Sequence, residues 1–103
     1  MPNLSTLKSI LADLQHGEWL FGTYCMPCHG KDGAGDGPVA RLMIVPPADL
    51  TFAQPAQRSD GYLYATIRNG SIVMPAYGDA MSAEERWQVV LYLRKLQGRL
   101  EEP

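Results

Sequence analysis

The sequence has few of the residues that carry metal and redox chemistry: its 103 residues include two cysteines and two histidines. Two cysteines cannot form a disulfide framework, and a bridge between Cys25 and Cys28 would close a very short loop and stabilise little. A structural zinc site needs four ligands, usually in two pairs at defined spacings. The cysteines with His29 and His16 could supply four on paper, but no second pair at such a spacing is present.

Excess charge and long apolar runs are also missing. The net charge of −2 gives no reason to expect binding to nucleic acid. No apolar run approaches the roughly 18 residues of a membrane-spanning helix. The start of the chain, Met1–Ser5, lacks the basic residues, apolar stretch and cleavage site of a secretory signal peptide. A convincing strand pattern is absent too, which disfavours a dithiol oxidoreductase of the βαβ type.

The most informative feature that is present is the run Cys25-Met26-Pro27-Cys28-His29, which has the C-x-x-C-H pattern of haem c attachment. Each thiol must add to a vinyl group on one edge of the porphyrin, and two intervening residues hold the thiols at that separation. The residue after the second thiol then lies under the iron, where a neutral imidazole can bind as the proximal ligand. We therefore predict one covalently bound haem c, attached by Cys25 and Cys28 and ligated by His29.

Haem c is attached outside the cytoplasm, so we expect the protein in the periplasm or at the outer face of the cytoplasmic membrane. Because Met1–Ser5 is no signal peptide, we expect either a processed chain with an added Met or a domain cut from a longer protein. The length fits a single domain over residues 1–103.

Apolar residues at helical spacing predict helices at both ends of the chain. The stripe Leu4–Leu14, which Ser5 could cap, resumes at Trp19 and leads into the attachment motif. The sequence Ser82–Glu85 has the capping-box pattern, and it opens a C-terminal helix that we predict over residues 82–97.

The middle of the chain is rich in glycine and proline, notably at Gly30–Pro38, and this composition predicts turns. Ser59 or Asp60 could cap a short helix that ends at Asn69-Gly70, a strong stop signal. A loop over residues 71–78 follows and contains Met74.

The second axial ligand of the iron has five candidates: Met26, Met43, Met74, Met81 and His16. Met26 lies inside the attachment motif, on the wrong side of the haem. We predict Met74, because it lies in a loop well after the motif and the following Pro75 stiffens that loop. Met81 is the alternative, and Met43 is a plausible pocket wall. His16 is close to the attachment helix, so we predict a surface position for it.

These residues resemble the class I monohaem cytochromes c, over about Gly17 to Leu96. The resemblance rests on Tyr24–Gly30, Gly33–Pro38 and Met74–Tyr77. Within that class the sequence is similar to bacterial respiratory-chain subunits and domains. The resemblance implies an all-α cytochrome c fold, with three to five helices around a covalent haem and the terminal helices packed together.

The resemblance also implies roles for individual residues. Gly17 and Phe21 on the first helix would pack against Tyr92 on the last. The Pro38 carbonyl would accept a hydrogen bond from His29, and a contact of this kind fixes the imidazole ring. The haem pocket would further include Leu50, Tyr77 and Trp87.

The resemblance implies electron transport, and no catalysis, by a low-spin haem with one His and one Met ligand. Its partners would be redox proteins of a respiratory chain, namely a quinol-oxidising complex, a terminal oxidase or another cytochrome. The resemblance is compatible with a free carrier, a subunit, or the electron-transfer domain of an oxidoreductase complex, and with a membrane tether in the full-length protein. A peroxidase-like enzyme or a gas sensor would instead need an open iron face.

Overall fold

The computed structural model describes residues 3–51, 57–71 and 74–99. Within these ranges the protein is helical and contains no strand. Helix α1 spans Leu4–Leu20 and continues through a π-helical turn, Phe21–Cys25, into the short helix α2, Met26–His29. After a 3₁₀ turn at Ala40–Leu42, helix α3 spans Asp60–Asn69 and helix α4 spans Ala83–Leu96. The all-α prediction is confirmed.

Local capping chemistry determines where α3 and α4 begin. The Ser82 hydroxyl accepts from the Glu85 backbone N–H at 3.1 Å, and the Glu85 carboxylate accepts from the Ser82 N–H at 3.0 Å, which completes the predicted capping box. The hydrogen bond from the Ser82 backbone N–H is the main cause that holds the pKa of the Glu85 carboxyl below its usual range, and a side-chain hydrogen bond with His16 is the second cause. Ser59 caps α3, since its hydroxyl accepts from the Tyr62 N–H at 3.1 Å. Helix α3 ends at Asn69, as predicted, and Gly70 follows with φ of 72°.

The expected cap of α1 was wrong. Asn3, not Ser5, holds the N-cap position, and its side-chain oxygen accepts from the Thr6 N–H at 2.9 Å. Because the helix begins at Leu4, Ser5 already lies in the first turn, where its hydroxyl cannot take the N-cap position.

Helices α1 and α4 pack against each other, as the family resemblance implied. At Gly17 an added Cβ would lie 2.2 Å from the Gln88 carbonyl oxygen and 3.2 Å from the Tyr92 Cβ, so the two backbones approach as closely as glycine allows. One turn further on, the rings of Phe21 and Tyr92 lie 5.3 Å apart at an angle of 51°. This crossing fixes the direction in which α1 leads into the attachment motif.

The core lies beneath this crossing and joins α1, α3 and α4. Its members are apolar side chains that expose less than a tenth of their surface: Leu20, Phe21, Cys25, Leu63, Ile67, Met81, Val89, Val90, Tyr92 and Leu93. Leu63 and Ile67 on α3 are four residues apart and therefore share one helix face. In the described part of the chain, no helix is long and apolar enough to cross a membrane.

The close approach at Gly17 generates a stability prediction. Gly17→Ala should lower the free energy of unfolding of the holoprotein by about 1–3 kcal/mol, because the new methyl group must push apart two backbones. This loss should appear although alanine is the better helix former by about 1 kcal/mol. Gly22→Ala is the matched control, since nothing lies within 4 Å of a Cβ there. Denaturant unfolding measures both, and equal midpoints for the two variants would contradict the packing described.

Candidate haem site

A cavity of ≈ 410 Å³ lies between the attachment motif, α3 and the loops that flank α3. Its size falls in the range of small-molecule and cofactor sites. Most of its lining is apolar or aromatic: Tyr24, Cys25, Cys28, His29, Met43, Pro46, Pro47, Ala48, Leu50, Arg58, Tyr62, Leu63, Thr66, Ile67, Ser71, Met74, Pro75, Tyr77 and Leu93. The cavity therefore brings together the residues of the C-x-x-C-H motif and the predicted axial methionine.

The two cysteines line one wall of this cavity as free thiols. Cys25 ends the π-helical turn and Cys28 lies in α2, so their spacing of three places them on one helix face. Burial, with a smaller contribution from Cys28, raises the pKa of the Cys25 thiol to about 12. A redox-active thiol has a lowered pKa, so this raised pKa disfavours a dithiol redox role for Cys25.

His29 is buried at the end of α2, and its ring is fixed by the backbone. Its Nδ1 lies 2.9 Å from the Ala48 carbonyl oxygen. A carbonyl can only accept, so Nδ1 carries the proton and Nε2 keeps a lone pair for a metal. The implication that Pro38 supplies the acceptor was wrong. Pro38 is exposed and does not line the cavity, whereas Pro46, Pro47 and Ala48 do.

The glycine-rich segment after His29 folds back along the attachment motif. The backbone N–H of Gly35 donates to the His29 carbonyl at 2.8 Å, and that of Gly37 donates to the Cys28 carbonyl at 3.0 Å. Gly30 turns the chain directly after the ligand with φ of 81°, a conformation that disfavours other residues. These bonds occupy the carbonyls at the end of α2 and hold His29 in place.

The methionine candidates occupy different environments. Met74 and Met43 both line the cavity. Met81 is 3 % exposed and belongs to the helical core, away from the cavity lining. Met26 is partly exposed on α2. His16 is at the surface, as predicted, and its Nε2 lies 3.0 Å from Glu85 Oε2.

The predicted loop over residues 71–78 carries Met74, and its residues 72 and 73 lie outside the described part of the chain. Hydrogen bonds within the loop and to α3 hold it in place. The Met74 carbonyl accepts from the Ser71 N–H at 3.0 Å, and the Tyr77 N–H donates to the Ile67 carbonyl at 2.9 Å. The Tyr77 hydroxyl donates to the Tyr24 carbonyl at 3.2 Å and so connects the loop to the attachment segment.

Two of the three predicted pocket residues, Leu50 and Tyr77, line the cavity. The third, Trp87, does not line the cavity. It is half exposed on α4 and stacks on Tyr64, with ring centroids 4.3 Å apart. Because α4 is apolar over a wide face, the sequence alone did not show which neighbour the Trp87 ring would contact.

Sequence reasoning missed two groups at the site. The Ala48 carbonyl has no sequence signature, because any residue could supply it. Arg86 is buried on the apolar face of α4, and its Nη1 donates to the carbonyls of Gly78 and Met81, both at 2.8 Å. The available signal in the sequence was a charged residue on a helix face that is otherwise formed by Val89, Val90 and Leu93. Through Gly78, Arg86 binds the end of the Met74 loop.

The donor set fits a covalently attached haem better than a bare metal ion. Among the described residues, no three carboxylate, thiol or imidazole side chains cluster to hold a metal. The cavity is lined by two thiols for porphyrin attachment, one imidazole with a free nitrogen, and a thioether on an anchored loop. Two thiols and an imidazole are the groups that attach and ligate a haem c, and a thioether is one of the second axial ligands that haem iron takes.

The chain matches the family model of cytochrome c oxidase, cbb3-type, subunit III over residues 12–93. A similar solved structure is a chain of the reducing HAO-like protein complex of Kuenenia stuttgartiensis, with 26% sequence identity and a TM-score of 0.71. The alignment covers 82% of this chain and 44% of that chain, so this chain spans less than half the length of that neighbour. A comparison with curated proteins found no match.

The family match extends from the middle of α1 to near the end of α4 and includes the attachment motif, the cavity loops and the crossing of the terminal helices. The chain belongs to the family of cytochrome c oxidase, cbb3-type, subunit III, and is a c-type cytochrome.

Proposed function

We propose that this protein carries single electrons by means of one haem c that is attached to Cys25 and Cys28 and ligated by His29 and Met74. The observation that carries the proposal is the shared cavity of these four side chains, in which the Ala48 carbonyl fixes the His29 ring. When bound, the haem supplies an iron that cycles between the ferrous and ferric states.

The chain contributes ligands that stay the same in both states. The hydrogen bond at Nδ1 keeps His29 in the tautomer whose Nε2 can bind iron. The thioether of Met74 favours the ferrous state and raises the reduction potential relative to a second imidazole. Apolar walls limit the access of water, and the bonds of Ser71 and Tyr77 hold the loop that presents Met74. These features suit transfer with little rearrangement.

The partners we propose are respiratory-chain redox proteins, with electrons passing from a quinol-oxidising complex to a terminal oxidase. The family match to an oxidase subunit supports this assignment. The similar solved chain is itself part of a protein complex, which is consistent with either a carrier or a domain of a larger assembly. We place the protein in the periplasm or at the outer face of the cytoplasmic membrane, where haem c is attached.

Several apolar residues in and near the attachment motif and in the Met74 loop are exposed. Met26 and Val39 expose 37% and 40% of their surface, and Pro27, Pro75 and Ala76 are exposed as well. A small apolar face of this kind suits a short-lived redox contact. It gives little electrostatic steering, since the net charge is only −2.

Met74→Ala should remove the axial sulfur, lower the reduction potential and let carbon monoxide bind the ferrous iron. Met81→Ala should instead keep the spectrum of the wild type and lose about 2–5 kcal/mol of stability, because it leaves a cavity in the core. Met43→Ala tests the other methionine of the cavity and should keep the spectrum too. The assignment fails if Met81→Ala or Met43→Ala opens the iron and Met74→Ala does not.

Replacing both Cys25 and Cys28 by alanine should abolish covalent attachment and leave the chain largely unfolded, because the porphyrin fills much of the cavity. Haem extraction into organic solvent and circular dichroism measure the two effects. A stable, structured apoprotein would show that the porphyrin is not part of the core.

The apolar face predicts that the rate of reduction by a redox partner changes little with ionic strength. Stopped-flow reduction at increasing salt measures this rate. A steep fall with salt would show that charged groups guide the encounter.

A further inference from the structure

The start and the middle of the Met74 loop are held by hydrogen bonds between neutral groups. At the start, the Met74 N–H donates to the Ser71 hydroxyl at 3.2 Å, and the Met74 carbonyl accepts from the Ser71 N–H. In the middle, the Gly78 N–H donates to the Arg68 carbonyl at 3.1 Å, next to the bond of Tyr77 to α3. Bonds of this kind make a modest net contribution to stability.

A charged side chain holds the end of the loop. One nitrogen of Arg86, Nη1, donates to the Gly78 carbonyl and to the Met81 carbonyl, both at 2.8 Å. These two acceptors lie at the two ends of the segment 78–81, through which the chain enters α4. Charge-assisted hydrogen bonds are roughly twice as strong as neutral ones. Arg86 therefore holds this end of the loop more firmly than the neutral bonds hold the rest.

The environment of Arg86 makes these two bonds costly to break. Arg86 is 8 % exposed, and its Nε is buried without a hydrogen-bond partner among the described residues. In the same part of the chain no carboxylate forms an ion pair with it. Its guanidinium lies over the ring of Tyr64 on α3, 5.1 Å from the centroid. Because a buried charge needs polar partners, movement of the loop away from α4 would leave this guanidinium poorly compensated.

While the loop stays closed, the thioether of the proposed ligand Met74 competes with external ligands at a high effective concentration. Opening of the loop removes that advantage. We propose that Arg86 is a positioning residue that controls how often the Met74 loop opens, and therefore how often the sixth coordination position of the iron becomes available to other ligands. Arg86 does not line the haem cavity, so it acts through the loop carbonyls. This inference rests on the proposed ligation by Met74.

Stopped-flow binding of imidazole to the ferric holoprotein measures the opening. At high imidazole concentration the binding rate stops rising and equals the rate at which the loop opens. Arg86→Met removes the donors and keeps an unbranched apolar side chain. We expect it to raise the limiting rate about 10- to 100-fold, which corresponds to the loss of one charge-assisted hydrogen bond. Arg86→Lys keeps the charge without the guanidinium and should give a smaller rise, which is also the test if Arg86→Met does not fold.

Val89→Ala is the matched control. Val89 lies on the same helix, is 1 % exposed and does not line the haem cavity. Its truncation lowers the stability of the core but leaves the donors to the loop carbonyls in place. We expect the limiting rate of this variant to stay at the wild-type value. An equal rise in Val89→Ala and Arg86→Met would overturn the proposal, since loss of stability alone would then account for the opening.

Native-state hydrogen exchange gives a readout that does not depend on the axial ligand. The amides of Tyr77 and Gly78 donate to carbonyls of α3 and report whether the loop is closed. We expect Arg86→Met to speed their exchange more than that of the amides inside α3. Equal acceleration in the loop and in α3 would contradict the role of Arg86, because it would indicate general destabilisation.

The kinetics also separate this inference from the proposed function. A limiting rate that Arg86→Met leaves unchanged would overturn the role of Arg86 and leave the electron carrier intact. A wild-type protein that binds imidazole without any limiting rate would overturn the ligation by Met74, and with it the control of the sixth position.

Discussion

The crossing of α1 and α4 at Gly17 is the constraint on which the rest of the structure depends. The Gln88 carbonyl leaves no space for a side chain at Gly17, and the Phe21 and Tyr92 rings pack next to it. Because α1 runs without a break into the π-helical turn and α2, the crossing also sets where the attachment motif lies. Helix α3 then packs its Leu63–Ile67 face against the same core, and the cavity is the space left between these parts.

The cavity is completed mainly by backbone groups and less by specialised side chains. The glycine-rich segment donates hydrogen bonds to the carbonyls of Cys28 and His29, and the Ala48 carbonyl accepts a hydrogen bond from the imidazole. On the other side of α3, the bonds of Tyr77 to Ile67 and Tyr24 fix the Met74 loop. Arg86 and Arg94 on α4 use their guanidinium groups to bind loop carbonyls, so the C-terminal helix anchors both loops that flank α3.

How well each feature could be predicted follows from the physics behind it. The roles proposed for Cys25, Cys28 and His29 rest on covalent geometry that fixes their spacing, and the Ser82–Glu85 cap is a local bond between neighbours. The acceptor for His29 could not be predicted, because a backbone carbonyl is common to all residues. The neighbour of Trp87 could not be predicted for another reason: α4 is apolar over a wide face, and only the tertiary packing shows that the Trp87 ring meets Tyr64.

The central claim is that the iron is closed on both faces by ligands from this chain, and absorption spectroscopy of the purified holoprotein tests it most directly. The account predicts the weak far-red band of ferric iron bound to a methionine sulfur, and no spectral change when carbon monoxide is added to the reduced protein. Absence of that band with immediate binding of carbon monoxide would contradict it, because the sixth position would then be open to small molecules.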